Sequence, residues 1–304
     1  MPNAYPSTVT VNIGALSIED VVAVARYGAK VEIAPEALEE VAATRERVEE
    51  LAQDPTPVYG ISTGFGALAR RHIPEEMRAQ LQLSLVRSHA AGTGPEVEEE
   101  VIRALMLLRL STLCTGRTGV RPVVVETYAK ALNAGIVPVV REYGSLGCSG
   151  DLAPLAHCAL ALLGEGEVRV NGELKDTGDA LAAAGIEPLQ LREKEGLALI
   201  NGTDGMLGQL CLAITDLRAA AKTADIATAM TVEGLLGTLV VFADDLQQLR
   251  PHPGQADAAA NILQVAEGSE ILEAALEEFK KNQVQDAYSC LLYTSPSPRD
   301  LSTS

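Results

Sequence analysis

Three consecutive residues, Cys148-Ser149-Gly150, hold a chemistry that no single side chain possesses. The backbone nitrogen of Gly150 has no Cβ beside it, and the glycines at 147 and 150 let the chain bend tightly enough to bring that nitrogen to the Cys148 carbonyl carbon. An N–C bond formed there, with loss of one water, closes a five-membered imidazolone. Loss of a second water from the Ser149 side chain leaves an exocyclic methylene, an electrophile built from the chain itself. Ordinary side chains supply nucleophiles, acids and bases instead. The plainer alternative is a glycine-rich turn in front of the helix-forming run that starts near Asp151, which suits the rules of helix capping.

The elements that must position this stretch are mostly helical. Ser17 reads as the cap of a helix that ends near Gly28, and Pro35 as the first-turn residue of "PEALEEVAATRERVEELAQ". "PTPVYGISTGFGA" from Pro55 breaks the pattern as a loop between helices. Helical periodicity resumes in "PEEMRAQLQLSLVRSHAAG" and "PEVEEEVIRALMLLRLSTLC", each opened by proline and acids. "VRVNGELKD" alternates around Asn171-Gly172 and predicts one hairpin, in a chain otherwise poor in strand signals. From Thr203 to Leu249 the pattern is almost unbroken helix with apolar residues on most faces, as in a helix inside a bundle or an oligomer. No internal repeat is present.

Composition narrows the function classes. The chain of 304 residues is 47% hydrophobic and 21% charged, which suits a folded core. Its 24 Lys and Arg against 41 Asp and Glu give −17, the wrong sign for a phosphate-backbone binder, so no nucleic acid partner is expected. Apolar runs such as "GLLGTLVVFA" are too short to span a membrane and "MPNAYPSTVTVN" lacks a signal peptide's regions. The expectation is a cytoplasmic protein without a membrane partner. The cysteines at 114, 148, 158, 211 and 290 show no metal-ligand spacing, so buried reduced thiols are expected, with Cys148 apart because of its neighbours.

"GSLGCSGD" resembles the loop of the aromatic amino acid ammonia-lyases, which build a 4-methylidene-imidazol-5-one from an Ala-, Thr- or Cys-Ser-Gly triplet. "VYGISTGFG" (58–66), "SLVRSHAAGTG" (84–94), "EGLALINGTDGMLG" (195–208), "RPHPGQ" (250–255) and "VQDAYS" (284–289) resemble further blocks of that family, in its order. The resemblance spans residues 10–289 and is strongest to the histidine ammonia-lyases. It implies a mainly α, ammonia-lyase/fumarase-like helical fold. The N-terminal domain, residues 1–202, would carry the hairpin and the electrophile loop, and residues 203–289 would begin a central long-helix bundle. It also implies a carbon–nitrogen lyase that converts L-histidine to trans-urocanate, needing no external cofactor or metal and assembling as a homotetramer with shared active sites.

Residue by residue, the resemblance makes Cys148 and Gly150 the cross-linked ends of the ring and Ser149 the residue converted to dehydroalanine. Tyr59 would be a catalytic tyrosine near the substrate β-carbon, and base work would require lowering its phenol from the ordinary value of about 10. Ser88-His89 falls where the family separates substrates, with His89 binding imidazole; taken alone, a histidine there caps helix carbonyls. Some aminomutases of the same scaffold also carry Ser-His. Asn201 would hydrogen-bond the electrophile or the substrate, though Asn-Gly is also an ordinary turn. Gln285 and Tyr288 would join the site, Tyr288 from a neighbouring subunit. Asp151 is expected to cap the helix behind the electrophile, and helix N-termini aimed there would favour negative charge on its carbonyl oxygen. His157 and His252 are taken as structural.

The last residues depart from the family. After Ser289 the resembling enzymes place an arginine that clamps the substrate carboxylate, where this chain reads Cys290, Leu291, Leu292. Cys290 to Asp300 matches the conceptual translation of a transposon-based sequencing adapter, so residues 290–304 are expected to be foreign sequence following the N-terminal part of a longer protein. Such a chain alone is expected to be inactive and poorly folded. The competing readings are a tyrosine or phenylalanine ammonia-lyase or aminomutase on the same scaffold, and a noncatalytic helical scaffold that keeps the blocks only for packing.

Overall fold

The computed structural model describes residues 5–147 and 150–282. Cys148, Ser149, Gln285, Tyr288 and the segment 290–304 lie outside the described residues. The chain forms two compact units, residues 1–214 and 215–304. Among the described residues it has twelve α-helices and seven short strands, a mainly α architecture.

In the first unit, β1 (Thr8–Val11) and β2 (Lys30–Ile33) pair in parallel on either side of α1 (Ile18–Tyr27). Ser17 caps α1 as expected. Its hydroxyl accepts the Asp20 N–H at 3.1 Å and the Asp20 carboxylate accepts the Ser17 N–H at 3.0 Å, a reciprocal capping box worth about 1 kcal/mol. Gly28 ends α1 at φ +68, a left-handed conformation that glycine adopts without penalty. Pro35 opens α2 (Pro35–Gln53), followed after the glycine loop by α3 (Glu75–His89), β3 (Thr93–Glu96), α4 (Glu99–Cys114) and α5 (Pro122–Asn133).

The core gathers around α4, which buries Ile102, Leu105, Met106, Leu107, Leu110 and Leu113 and packs on α1, α2 and α5. Burial on so many faces explains why the helix carries an apolar run rather than one stripe. β4 (Ile136–Pro138), β5 (Arg141–Tyr143) and α6 (Leu152–Leu162) follow. The expected hairpin is present as β6 (Glu167–Val170) and β7 (Glu173–Asp176), with Asn171 at φ 52 and Gly172 at φ 78 making the left-handed turn that Asn-Gly favours. α7 (Thr177–Ala183) and α8 (Glu195–Ile200) lead to α9 (Asp204–Gly234), which runs on into the second unit.

The second unit corrects one expectation. The helix predicted to continue from Thr203 to Leu249 stops at Gly234, because Leu236 turns left-handed at φ 56 and the Gly237 N–H donates back to the Val232 carbonyl at 2.8 Å. Glycines at 234 and 237 permit that end. α10 (Asp244–Gln247), α11 (Pro253–Val265) and α12 (Glu270–Asn282) complete the unit. Apolar side chains on α9, including Leu217 and Met230, are exposed. No helix among the described residues is long and apolar enough to cross a membrane.

Candidate active site

The triplet's flanks are held by backbone pairing. Gly147 lies at φ +65, the Gly150 N–H donates to the Gly147 carbonyl at 2.8 Å, and the Leu146 N–H donates to the Gly150 carbonyl at 3.1 Å. Gly150 also forms a parallel bridge with Gly202, and the Asp151 N–H donates to the Gly202 carbonyl at 3.2 Å. The loop that ends at Gly150 is thereby pinned to Asn201-Gly202-Thr203, and both α6 and α9 begin beside this junction.

Asp151 occupies the N-cap position of α6, but its carboxylate makes no hydrogen bond to that helix. It is buried, and instead accepts the Ser145 hydroxyl at 2.5 Å and the Met206 N–H at 2.9 Å. The expected cap therefore serves the first turn of α9.

Tyr59, Ser88, His89 and Asn201 line one cleft of about 600 Å³, together with Phe65, Leu81, Leu85, Leu152, Leu197 and Ile200. Leu152 is the first residue of α6, so the cleft opens two residues from Gly150. Tyr59 sits on a loop folded on itself: the Val58 carbonyl accepts the N–H groups of Ile61 and Ser62, and the Val58 N–H donates to the Ser62 hydroxyl. Gly60 at φ +72 passes so close to α8 that a Cβ there would stand 3.1 Å from a Leu197 methyl. Buried Arg78 clasps the loop's ends, donating to the Ala52 and Ile73 carbonyls at 2.7 and 3.1 Å. The Tyr59 ring meets Phe65 edge to face at 6.2 Å.

His89 ends α3. Its Nδ1 lies 2.9 Å from the Leu85 carbonyl, an acceptor only, so Nδ1 is the donor there, and 3.1 Å from the Ser88 hydroxyl. Among the described residues Nε2 has no hydrogen-bond partner. Carbonyl capping and availability for a ligand thus coexist on opposite sides of the ring. The Ser88 hydroxyl is turned to the same Leu85 carbonyl at 2.9 Å. Asn201 caps the C-terminus of α8, and only its backbone is bound, which leaves the side-chain amide available to the cleft.

Several positioning residues escaped the sequence reading. Buried Gln82 accepts the Gly196 and Leu197 N–H groups at the start of α8. Fully buried Glu195 accepts from the Arg121 guanidinium and from the Arg121 and Arg192 N–H groups. Arg109, on α4, donates to the Ala198 and Asn201 carbonyls and to Asp204. A lone arginine inside "LMLLRLSTLC" was the available signal, since a charge in an apolar helix needs a buried partner.

His157 is structural, as expected: its Nε2 accepts the Gly92 N–H at 3.1 Å, and burial, with Arg141 adding repulsion, lowers its basicity. Cys114, Cys158 and Cys211 are buried and form no disulfide, and burial pushes the Cys114 thiol up to about 12 and raises the other two. No metal-binding group of His, Cys, Asp and Glu occurs among the described residues.

Comparison with known proteins gives these features a context. The aromatic amino acid lyase family matches residues 16–294. A histidine ammonia-lyase of Streptomyces avermitilis is 59% identical over 283 residues, 93% of this chain and 55% of its own length. One from Gloeobacter violaceus is 47% identical over 90% of this chain and 53% of its own. Among solved structures, a tyrosine aminomutase of Streptomyces globisporus has a TM-score of 0.83 at 40% identity, covering 92% of this chain and 54% of that one. A histidine ammonia-lyase of Trypanosoma cruzi has a TM-score of 0.78 at 36% identity, covering 88% and 52%. The chain spans about half the length of the relatives it matches. With the fold, the ordered blocks and the family match in agreement, this chain belongs to the aromatic amino acid lyases.

Proposed function

We propose that this chain carries the electrophile-forming half of a histidine ammonia-lyase, which eliminates ammonia from L-histidine to give trans-urocanate. The observation that carries the reading is the gathering of Tyr59, His89 and Asn201 in one cleft at the start of α6, beside Gly150. The identity to histidine ammonia-lyases supports histidine as substrate. The residues present fit the internal cofactor. Gly150 lacks the Cβ that would hinder its nitrogen, Gly147 takes the left-handed turn, and Gly202 anchors the far side.

Once formed from Cys148, Ser149 and Gly150, the 4-methylidene-imidazol-5-one supplies an electrophilic carbon that turns the substrate amine into a leaving group. The chain's own residues do the rest. His89 Nε2 accepts the N–H of the substrate imidazole, a contact that a phenyl side chain cannot return. Tyr59, acting as the phenolate, takes the β-proton and becomes the phenol, and the Asn201 amide hydrogen-bonds the substrate's polar end. Phe65, Leu81, Leu85, Leu152 and Leu197 supply the apolar wall around these polar contacts. Gln285 and Tyr288 belong to the same proposal, with Tyr288 supplied across a homotetramer. The exposed apolar side chains of α9 and its following turn support assembly. A division at residue 202, with a bundle beginning at 203 and foreign sequence from 290, completes it, together with a cytoplasmic location.

An aminomutase is the second reading, favoured by the likeness to tyrosine aminomutases. Offering the full-length protein L-histidine, L-tyrosine and L-phenylalanine separately decides the matter. trans-Urocanate from histidine alone is expected. A β-amino acid, or coumarate or cinnamate in preference to urocanate, overturns the histidine assignment.

A further inference from the structure

Arg109 is 2% exposed in the middle of α4, where every neighbouring turn buries leucine or methionine. Its guanidinium spans the segment that follows α8. Nη1 donates to the Ala198 and Asn201 carbonyls at 3.0 and 3.2 Å, and Nη2 donates to Asp204, whose other oxygen accepts the Thr112 hydroxyl at 3.2 Å. A Cβ on Gly202 would stand 1.8 Å from Nη2 and 2.5 Å from the Asp204 carboxylate, so the segment crosses directly over the guanidinium. The Gly202 carbonyl receives the Asp151 N–H, and Gly202 bridges Gly150.

Stability alone is a poor reason for this arrangement. Arg109 Nε is buried with no partner among the described residues, and a buried ion pair is often no more stabilising than apolar side chains of similar volume. What the guanidinium offers is geometry, because its planar fork fixes two carbonyls and one carboxylate at once. From these contacts we infer that Arg109 is a positioning residue for the active site. It holds the 201–204 segment so that Asn201 faces the cleft and Gly202 anchors Gly150 for ring closure. The inference rests on the reading of Cys148-Ser149-Gly150 as the precursor of the electrophile.

Hydrogen exchange and peptide mass, measured on the whole chain, test it through two readouts. Arg109→Met is compared with Arg109→Lys and with Leu181→Ala, a core truncation in α7 chosen as a control for general destabilisation. Should Arg109→Met leave Asp204 too costly to bury, the pair Arg109→Met with Asp204→Asn removes the uncompensated charge and replaces it. In the methionine variant, amide exchange in 146–152 and 201–207 is expected to accelerate at least tenfold while the β6–β7 hairpin is unchanged, with partial recovery in Arg109→Lys. The fraction of the 144–157 peptide lighter by two waters is expected to fall in the same order and to stay at the wild-type level in Leu181→Ala. A folded variant without Arg109 that keeps wild-type exchange and wild-type ring formation overturns the inference. A wild-type chain that never loses the waters overturns the reading of the triplet instead, and the exchange pattern then still decides the role of Arg109.

Discussion

Gln82 on α3 accepts the N–H of Gly196 on α8 at 2.9 Å through its side-chain oxygen, and the Leu197 N–H at 3.4 Å with it. One amide thus caps the helix that ends at Asn201 from the helix that ends at His89. The two walls of the cleft share a fastening, and a Cβ on Gly196 would stand 2.8 Å from the Gln82 carbonyl, so the helices cannot be separated by a larger residue without cost.

Replacing Gln82 by alanine leaves the buried Gly196 N–H and the part-buried Leu197 N–H without this acceptor, a loss of about 1–3 kcal/mol. The urea midpoint should fall accordingly. In the full-length enzyme, displacement of His89 relative to Asn201 should raise KM for histidine roughly tenfold. An unchanged midpoint and KM would show that the fastening is dispensable.

His89→Leu removes the imidazole contact and little volume. Loss of one hydrogen bond that the substrate cannot replace predicts a fall in kcat/KM for histidine of about tenfold to a hundredfold. Because a leucine pocket no longer demands a ring N–H, discrimination against phenylalanine should weaken as well. Steady-state assays with both amino acids check the two effects separately.

The sequence made the chemistry more legible than the scaffold behind it. Asn171-Gly172, Ser17 and Pro35 carry their structural meaning within a few residues, and each produced the element expected of it. The residues quoted with the ordered blocks, Tyr59, His89 and Asn201, meet in one cleft. Asp151 was legible as a cap but not as the cap of α9, since its true partner is distant in sequence at Met206. Gln82, Arg109 and Glu195 were illegible for the same reason: their partners are backbone groups 114, 92 or 74 positions away. The parallel pair β1–β2 is only four residues long on each side, too short for alternation to announce it. The break in the long helix at Leu236 was hidden by a sequence whose apolar pattern continues through it.

Two glycine substitutions should behave oppositely. Gly202→Ala drives a Cβ into Arg109 and Asp204, and an overpacked buried charge pair of this kind should cost about 3 kcal/mol or more. Gly254→Ala meets open space within α11, and removal of a helical glycine there should stabilise by about 0.5–1 kcal/mol. Thermal melting of both variants beside the wild type measures the contrast.

His157 gives stability a defined pH window. Burial, aided by Arg141, holds its folded pKa below the ordinary value of 6.5, so near that value the unfolded chain binds more protons than the folded one. Its contribution is therefore complete above pH 6.5 and is lost as pH falls through the folded pKa. His157→Gln, which can still accept the Gly92 N–H, should flatten this part of the profile. Urea midpoints of wild type and variant between about pH 7.5 and pH 5 should diverge in slope. Parallel slopes would remove His157 as the cause.

The most direct measurement is the mass of the proteolytic peptide spanning residues 144–157 from protein that has folded in the cell. A peptide lighter than its sequence by two waters, with the deficit confined to Cys148-Ser149-Gly150, is the result expected of a chain that makes its own electrophile. A peptide of unmodified mass from folded, full-length protein would contradict it.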